Sequence, residues 1–510
     1  MNNKRIAVTL IANIAVFLAN SLIGLLMTPY IVNHVGAEAY GFVTLATNFT
    51  NYANVIMLAL NSMAGRFITI EFHRNNLEKA NKYFTSILIA NIIMTGVLLL
   101  PSFFCVLFID KLVNISAHLV ADVQILFATV FVAFLLTILG TAFSCSTFVA
   151  NRKDLEGKRQ LESYIIKAIV LILSFSLLSP HVYYVGISML LMSIYVFITN
   201  IIYTKKLTPE LTIHKKYFSG NSIKVLLQSG IWNSVENLST TIAHGFDLLL
   251  ANLLINPYAM GVLSIAKLLP NMVEMFIWRI SAMFIPEYTI AYAESNKPRL
   301  LQSLHKTILI ASIISNVCAC MICVISKEFY TLWVPNEDAG LLAWLTVLTI
   351  SSIFISAGIY CMYNLATVTN KIKIPAVVKL SVSILNIAIV LILLKTTALG
   401  VFAIAGVNAF TNTLMNLLFY IPYASRCIDE KFTIFFKPIV KNVFALGITV
   451  LFGFWEKTFF TIDNWFMLVA FGVILALTAL IINLLICTTL DDKKQMIAYI
   501  KLKLLKIREI

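Results

Sequence analysis

Ionisable side chains occur inside two long, largely apolar segments of the sequence. Among them are Asp247 in segment 222–255, and Lys267, Glu274 and Arg279 in segment 258–290. A charge inside a membrane is costly and usually faces a water-filled cavity or an opposite charge. There, a carboxylate can take up a proton or a cation, and Lys or Arg can bind an anionic group such as a phosphate. We therefore predict that these side chains bind ions or a charged substrate group within the membrane. The alternative is that they pair with one another between the two segments and only stabilise the fold.

Uncharged polar residues repeat at helical spacing in the same segments. Spacings of 4, 3, 4 and 3 place five residues on one helix face: Asn233, Asn237, Thr240, His244 and Asp247. Asn271 lies on a second such face with Lys267 and Glu274, and further Asn and Thr residues, among them Asn51 and Asn412, follow other spans. These faces predict a wet central cleft between two lobes. The alternative is hydrogen bonding between helices, worth about 0.6–2 kcal/mol per contact.

The composition shows what kind of elements must position these residues. The chain has 510 residues, of which 60% are hydrophobic and 12% charged, whereas soluble domains average about 25% charged residues. A chain this apolar cannot cover its surface in water, which excludes a soluble enzyme, a disordered chain and a coiled coil. The sequence predicts an all-α polytopic membrane protein.

About 20 mainly apolar residues cross a bilayer core of about 30 Å, and this rule predicts fourteen transmembrane helices. When fourteen spans are threaded, 30 of the 38 Lys and Arg residues fall on one side and only four on the other. Positive charge marks the cytoplasmic side, so both termini are predicted to be cytoplasmic. Lys167 and Lys379 lie near cytoplasmic ends of their spans, where we interpret their ammonium groups as reaching the interface, and Arg66 is similarly placed.

Three pairs of short segments repeat at nearly one offset and in the same order. Ser86–Ile93 matches Thr307–Ile314 at an offset of 221, and Gly41–Ala46 resembles Gly261–Ala266 at 220. Six-helix repeats have the same orientation in the membrane and are related by a pseudo-two-fold axis along its normal. The predicted divisions are an N-lobe at 1–204, a connector at 205–221, a C-lobe at 222–425, two extra helices at 426–489, and a basic amphipathic segment at 490–510.

No motif for catalysis or nucleotide hydrolysis is present. The sequence has no Walker A run, paired-carboxylate site, nucleophile elbow or metal-ligand cluster. The eight cysteines lie mostly in apolar segments and are interpreted as helix packing. We therefore predict a transporter that is not an enzyme, with no cofactor and no metal, whose energy comes from an ion gradient or from that of its substrate.

Three motifs resemble those of bacterial polysaccharide flippases, the Wzx group of the multidrug, oligosaccharidyl-lipid and polysaccharide exporter superfamily. The segment from Thr28 to Gly41 is similar to the turn between the first two helices of that family, and Arg66 matches an Arg that ends its second helix. The segment from Asp247 to Gly261 resembles the second such turn, although Met260 stands where the first turn has a Tyr.

The resemblance implies a flippase for surface polysaccharide biosynthesis, such as that of O-antigen and lipopolysaccharide, in the bacterial inner membrane. By alternating access, it would move an undecaprenyl diphosphate-linked oligosaccharide from the cytoplasmic to the outer leaflet. Partners would be this lipid, a proton or sodium ion, membrane lipids and other assembly proteins, but no nucleic acid. We expect substrate binding by Lys267, Arg279, Arg66, Asn237, Asn271, Asn51 and Asn412, and ion coupling by Asp247 and Glu274. A cation-coupled multidrug exporter and a flippase for the lipid-linked peptidoglycan precursor remain alternatives.

Overall fold

The computed structural model describes the backbone of residues 3–488, and the side chains of residues 15–488 apart from 233, 243 and 244. The predicted amphipathic segment at 490–510 lies outside this range. Within it, all regular elements are helical. The α-helices are α1 Asn3–Val35, α2 Ala37–Asn61, α3 Ala64–His73, α4 Leu77–Leu107, α5 Ile109–Leu112, α6 Val120–Val149, α7 Lys153–Leu177, α8 Tyr183–Leu207, α9 Gly220–Leu254, α10 Pro257–Met283, α11 Ile285–Ala293, α12 Lys297–Trp333, α13 Ala339–Ser356, α14 Tyr360–Val368, α15 Lys373–Thr396, α16 Val401–Met415, α17 Ile421–Cys427, α18 Thr433–Lys457 and α19 Trp465–Cys487.

The described residues contain thirteen helical segments that are long and apolar enough to cross a membrane. They correspond to thirteen of the fourteen predicted spans, and the multi-pass all-α fold is confirmed. The remaining predicted span is the seventh in chain order, at 222–255. It corresponds to α9, which has 35 residues but is not among the thirteen. The thirteen spans are counted over the described side chains only, and those of residues 233, 243 and 244 within α9 are outside them. The count of fourteen is therefore approximate.

Several predicted spans consist of two helices in succession. The second span is α2 followed by α3, the eighth is α10 followed by α11, and the tenth is α13 followed by α14. In the eighth, Pro286 occupies the first turn of α11, where its missing N–H breaks no helical hydrogen bond. In the twelfth span a π-helical turn, Asn416–Tyr420, joins α16 to α17.

Backbone geometry repeats at the offset that the sequence repeat predicts. Asn75 and Ser295, 220 residues apart, both have φ in the left-handed region, at 60° and 52°. Asn151 and Asn370, 219 apart, have φ of 51° and 56°. The residues after the first pair are also equivalent, since the side chains of Asn76 and Asn296 each accept a hydrogen bond from a backbone N–H three residues later. The two halves therefore use the same turn chemistry at corresponding positions.

The helices group into two compact units. Unit 1 contains residues Met1–Ile265 and Ala376–Ile404, and unit 2 contains Ala266–Pro375 and Ala405–Ile510. Unit 1 therefore includes α9 and most of α15 together with α1–α8. These boundaries follow packing and differ from those of the predicted lobes at 1–204 and 222–425, which stay a prediction.

In unit 2, the two helices beyond the repeats are joined to α12 by buried amides. Asn316 of α12 donates to Asn442 Oδ1 of α18 and Asn483 Oδ1 of α19, each at 2.7 Å. Asn483 donates in turn to Thr449 Oγ1 at 3.1 Å, and Asn442 donates to the Phe354 carbonyl of α13 at 3.2 Å. We call Asn316, Asn442 and Asn483 the amide node. It makes α18 and α19 an integral part of unit 2.

Candidate functional site

Within unit 1, α2 and α9 pack along most of their length through glycines of α9. A Cβ on Gly230 would lie 2.2 Å from the Ala59 carbonyl oxygen, and one on Gly245 would lie 2.8 Å from the Tyr52 ring. Between these two points, Ser234 Oγ donates to the Val55 carbonyl at 2.7 Å. Positions rise along α2 as they fall along α9, so the two helices run antiparallel with their backbones in close approach.

The repeat-related turns before α2 and α10 also meet inside unit 1. A Cβ on Gly261 would lie 2.2 Å from the Ala37 carbonyl oxygen, and one on Gly41 would lie 2.9 Å from Gly261 Cα. Nearby in the chain, Asn114 and Asn252 pair reciprocally, because each side-chain N–H donates to the other's backbone carbonyl at 2.9 Å. Two glycines at an offset of 220 thus form one crossing of main chains.

Beside the pairing of α2 and α9 lies a cavity of about 250 Å³. The described residues that line it are amide, hydroxyl and glycine residues: Asn48, Asn51, Asn54, Asn237, Thr240, Thr241 and Gly245. Two contacts within this group are long, since Asn48 Nδ2 donates to the Gly245 carbonyl at 3.4 Å and Thr241 Oγ1 donates to Asn237 Oδ1 at 3.4 Å. We call this the amide cavity. Its amides and hydroxyls are placed to hydrogen-bond a polar, uncharged ligand.

A second cavity of about 380 Å³ in unit 1 shares two of these residues. It is lined by Leu58, Ser62, Glu236, Asn237 and Thr240. Thr240, common to both cavities, accepts a hydrogen bond from Lys379 Nζ of α15 at 2.8 Å. An ammonium group therefore lies within hydrogen-bond distance of one of the two residues that line both cavities.

The structure brings together only some of the predicted site residues. In unit 1, Asn51 and Asn237 line the amide cavity, while Asp247 is 6% exposed and Arg66 is an exposed residue of α3. The side chains of Asn233 and His244, from the predicted face of α9, are outside those described.

The other predicted site residues belong to unit 2. Lys267 is 6% exposed, whereas Asn271 and Arg279 are exposed on the same helix. Glu274 is half-buried and accepts a hydrogen bond from the Tyr360 hydroxyl at 3.3 Å. Asn412 donates to Asn408 Oδ1, one turn earlier on α16, at 2.8 Å.

The predicted substrate-binding residues do not include Asn48, Asn54 or Lys379. Asn48 belongs with Asn51 to the polar residues that the sequence shows on the second helix, and Asn54 lies one turn beyond Asn51, so helical spacing indicates both. Lys379 was interpreted as an interfacial residue, and nothing in its spacing indicates a contact with α9. Among the described residues, no three His, Cys, Asp or Glu side chains are grouped so that they could hold a metal ion.

Residues 6–287 match the family model described as "Polysaccharide biosynthesis protein". The chain belongs to this family. It is 28% identical over 491 residues to "Uncharacterized membrane protein EpsK" of Bacillus subtilis (strain 168), covering 95% of this chain and 96% of that protein. The family prediction is therefore confirmed.

Two solved structures indicate the same fold. An inward-facing multidrug resistance MATE family transporter of the MOP superfamily has a TM-score of 0.68 at 15% identity, covering 80% of this chain and 94% of its own. The lipid II flippase MurJ, in an inward closed conformation, has a TM-score of 0.67 at 16% identity, covering 93% and 98%. The matched part of this polysaccharide biosynthesis protein contains α2 and α9, hence the whole amide cavity, whereas Lys379 follows it in the chain.

Proposed function

We propose that the protein is a flippase for an undecaprenyl diphosphate-linked oligosaccharide, used in surface polysaccharide biosynthesis. The observation that carries the proposal is an uncharged, amide-lined cavity in a multi-pass member of the polysaccharide biosynthesis family. Sugars present many hydroxyls and few charges. Amides can donate to and accept from those hydroxyls at once, so four Asn side chains around one cavity suit a glycan.

The lipid-linked substrate also has a diphosphate, which requires cationic groups. In this proposal Lys267 and Arg279 help to hold the diphosphate, Arg66 lies at the cytoplasmic mouth, and Asn271 and Asn412 contact the sugars. Both termini lie in the cytoplasm, and the protein works in the bacterial cytoplasmic membrane by alternating access. The positive-inside pattern supports the orientation, and the family membership supports the choice of a lipid-linked substrate for these residues.

Ion coupling is proposed to involve Asp247 and Glu274. Both carboxylates lie in long helices of largely apolar neighbours, and Asp247 is 6% exposed, so that a bound proton or cation would offset the cost of burial. If coupling occurs here, Asp247→Asn and Glu274→Gln remove the response of transport to imposed proton or sodium gradients. A variant pair that keeps the wild-type gradient response would remove both residues from this role.

The decisive experiment is a flipping assay in vesicles containing the purified protein. The probe is undecaprenyl diphosphate carrying a fluorescent N-acetylhexosamine, and a membrane-impermeant quencher measures the fraction in the outer leaflet. We expect the quenchable fraction to change faster with the protein than in empty vesicles. Equal rates in both would contradict the proposal.

The same assay separates the second candidate, a flippase for the lipid-linked peptidoglycan precursor, which the likeness to MurJ in fold favours. Labelled lipid II replaces the first probe in one arm, and the preferred lipid identifies the function. A third arm uses a cationic dye, because a multidrug exporter would move the dye and neither lipid. The described lining residues of the amide cavity include no carboxylate, which argues against a cation as the main substrate.

A further inference from the structure

Lys379 lies on the face of α15 that packs against α9. Ser239 Oγ of α9 donates to the Ala376 carbonyl at 3.3 Å, and Ser383 Oγ donates to the Ser239 carbonyl at 3.0 Å. Residues 376, 379 and 383 follow one another at helical spacing. The two serine contacts thus bracket Lys379 and hold its backbone next to Thr240.

The ammonium of Lys379 is directed at α9 by its contact with Thr240. A lysine that only reaches the membrane interface places its ammonium in water or among headgroups. Here Nζ lies 2.8 Å from Thr240 Oγ1, the side chain is half-buried, and Thr240 lines both cavities. The contact therefore brings an ammonium group to a residue that lines both cavities, while Lys379 itself is outside the described lining of each.

The two cavities differ in the charge that they present. The amide cavity has no carboxylate among its lining residues, whereas Glu236 lines the second cavity. An anion near Lys379 is repelled by Glu236, and on the other side the described lining residues offer it amides and hydroxyls. Charge complementarity therefore favours an anionic group at the Thr240 edge of the amide cavity.

We propose that Lys379 binds the diphosphate of the substrate at this edge, next to the amides that bind its sugars. This inference rests on the proposed function and assigns one further residue to substrate recognition. Lys379 then binds the charged headgroup of the ligand, and the amides bind its neutral glycan. Thr240 positions the ammonium between them.

The test is binding of undecaprenyl diphosphate to the full chain in lipid nanodiscs, with inorganic diphosphate as a separate probe. The variants are Lys379→Gln, which removes the charge, and Lys379→Arg, which keeps it. The matched control is Lys395→Gln, an exposed lysine near the other end of α15. We expect Lys379→Gln to raise the Kd for undecaprenyl diphosphate about 10- to 100-fold, with Lys379→Arg and Lys395→Gln close to wild type.

Each outcome separates the inference from the proposed function. If Lys379→Gln binds undecaprenyl diphosphate as tightly as wild type, the inference fails, and the flipping assay decides the function independently. If Lys379→Arg loses binding as fully as Lys379→Gln, shape rather than charge matters, and the anion assignment fails. If only inorganic diphosphate shows the dependence on Lys379, the site takes a soluble anion, and the assignment to a lipid headgroup is overturned.

Discussion

Two clusters of asparagine, one in each unit of this protein, have opposite roles. In unit 1, Asn48, Asn51, Asn54 and Asn237 line an open cavity and have few, long contacts with the protein. In unit 2, the amide node is at most 2% exposed, and its two shortest hydrogen bonds measure 2.7 Å. The same side chain is available to a ligand in one place and used for helix packing in the other.

The helices around the two asparagine clusters are held together in different ways. Around the amide cavity, Gly230 of α9 lies against the main chain of α2 and Gly245 lies against the Tyr52 ring, so the packing of these helices depends little on their amides. Around the node, α12, α18 and α19 are held by the amides themselves. A polar residue in a membrane helix is thus free for function where backbone contacts already define the packing.

The largest effect is expected from an added methyl group at the glycine contact. In Gly230→Ala, the new Cβ would lie 2.2 Å from the Ala59 carbonyl oxygen and 2.8 Å from Ser62 Oγ, so α2 and α9 must separate. Overpacking of this kind costs about 1–3 kcal/mol. We expect a clear fall in the thermal unfolding temperature of the purified protein, together with loss of flipping in vesicles.

The control for this variant is Gly447→Ala in α18. A Cβ there meets nothing within 4 Å, and Ala favours a helix over Gly by about 1 kcal/mol. This variant should be at least as stable as wild type and transport normally. If Gly230→Ala behaves in the same way, the two helices of the cavity are not fixed by their backbones.

A substitution in the amide node should lower the stability of the protein without changing its transport rate. Asn316→Ala removes the donor to both Asn442 and Asn483 and leaves their oxygens buried without that partner. Leaving a buried polar group unsatisfied costs about 1–3 kcal/mol. We expect a lower unfolding temperature and a normal flipping rate per folded molecule. A normal unfolding temperature would contradict the structural role of the node.

The cavity should respond in the opposite way. Asn51→Ala combined with Asn237→Ala removes two amides from the lining and leaves the glycine contacts intact. At about 0.5–1.5 kcal/mol for each lost hydrogen bond, flipping should fall about tenfold while the unfolding temperature stays near that of wild type. An unfolding temperature that falls as far as in Asn316→Ala would show that these amides serve packing as well.

Part of this arrangement could be predicted from the sequence, because periodicity and repeats record it. The face of α9 predicted Asn237, and the repeat offset predicted equivalent halves, which the left-handed turns at Asn75 and Ser295 match. The node could not be predicted, since Asn316 is a single amide in a largely apolar segment and its partners come from two distant helices. The contact of Lys379 with Thr240 depends in the same way on tertiary packing.

The smallest effect is expected at Asn412, which the sequence assigns to substrate binding. Its amide donates to Asn408 Oδ1 at 2.8 Å within α16, and pairs one turn apart contribute only about 0.2–0.5 kcal/mol. By the contrast between the two units, an amide with a near partner in the protein resembles the node more than the cavity. Asn412→Ala should therefore change the flipping rate less than about twofold. If Asn412→Ala reduces flipping as strongly as the loss of Asn51 and Asn237, the substrate can compete for an amide that already has a partner in the protein. Hydrogen-bond partners within the protein would then not distinguish binding residues from packing residues.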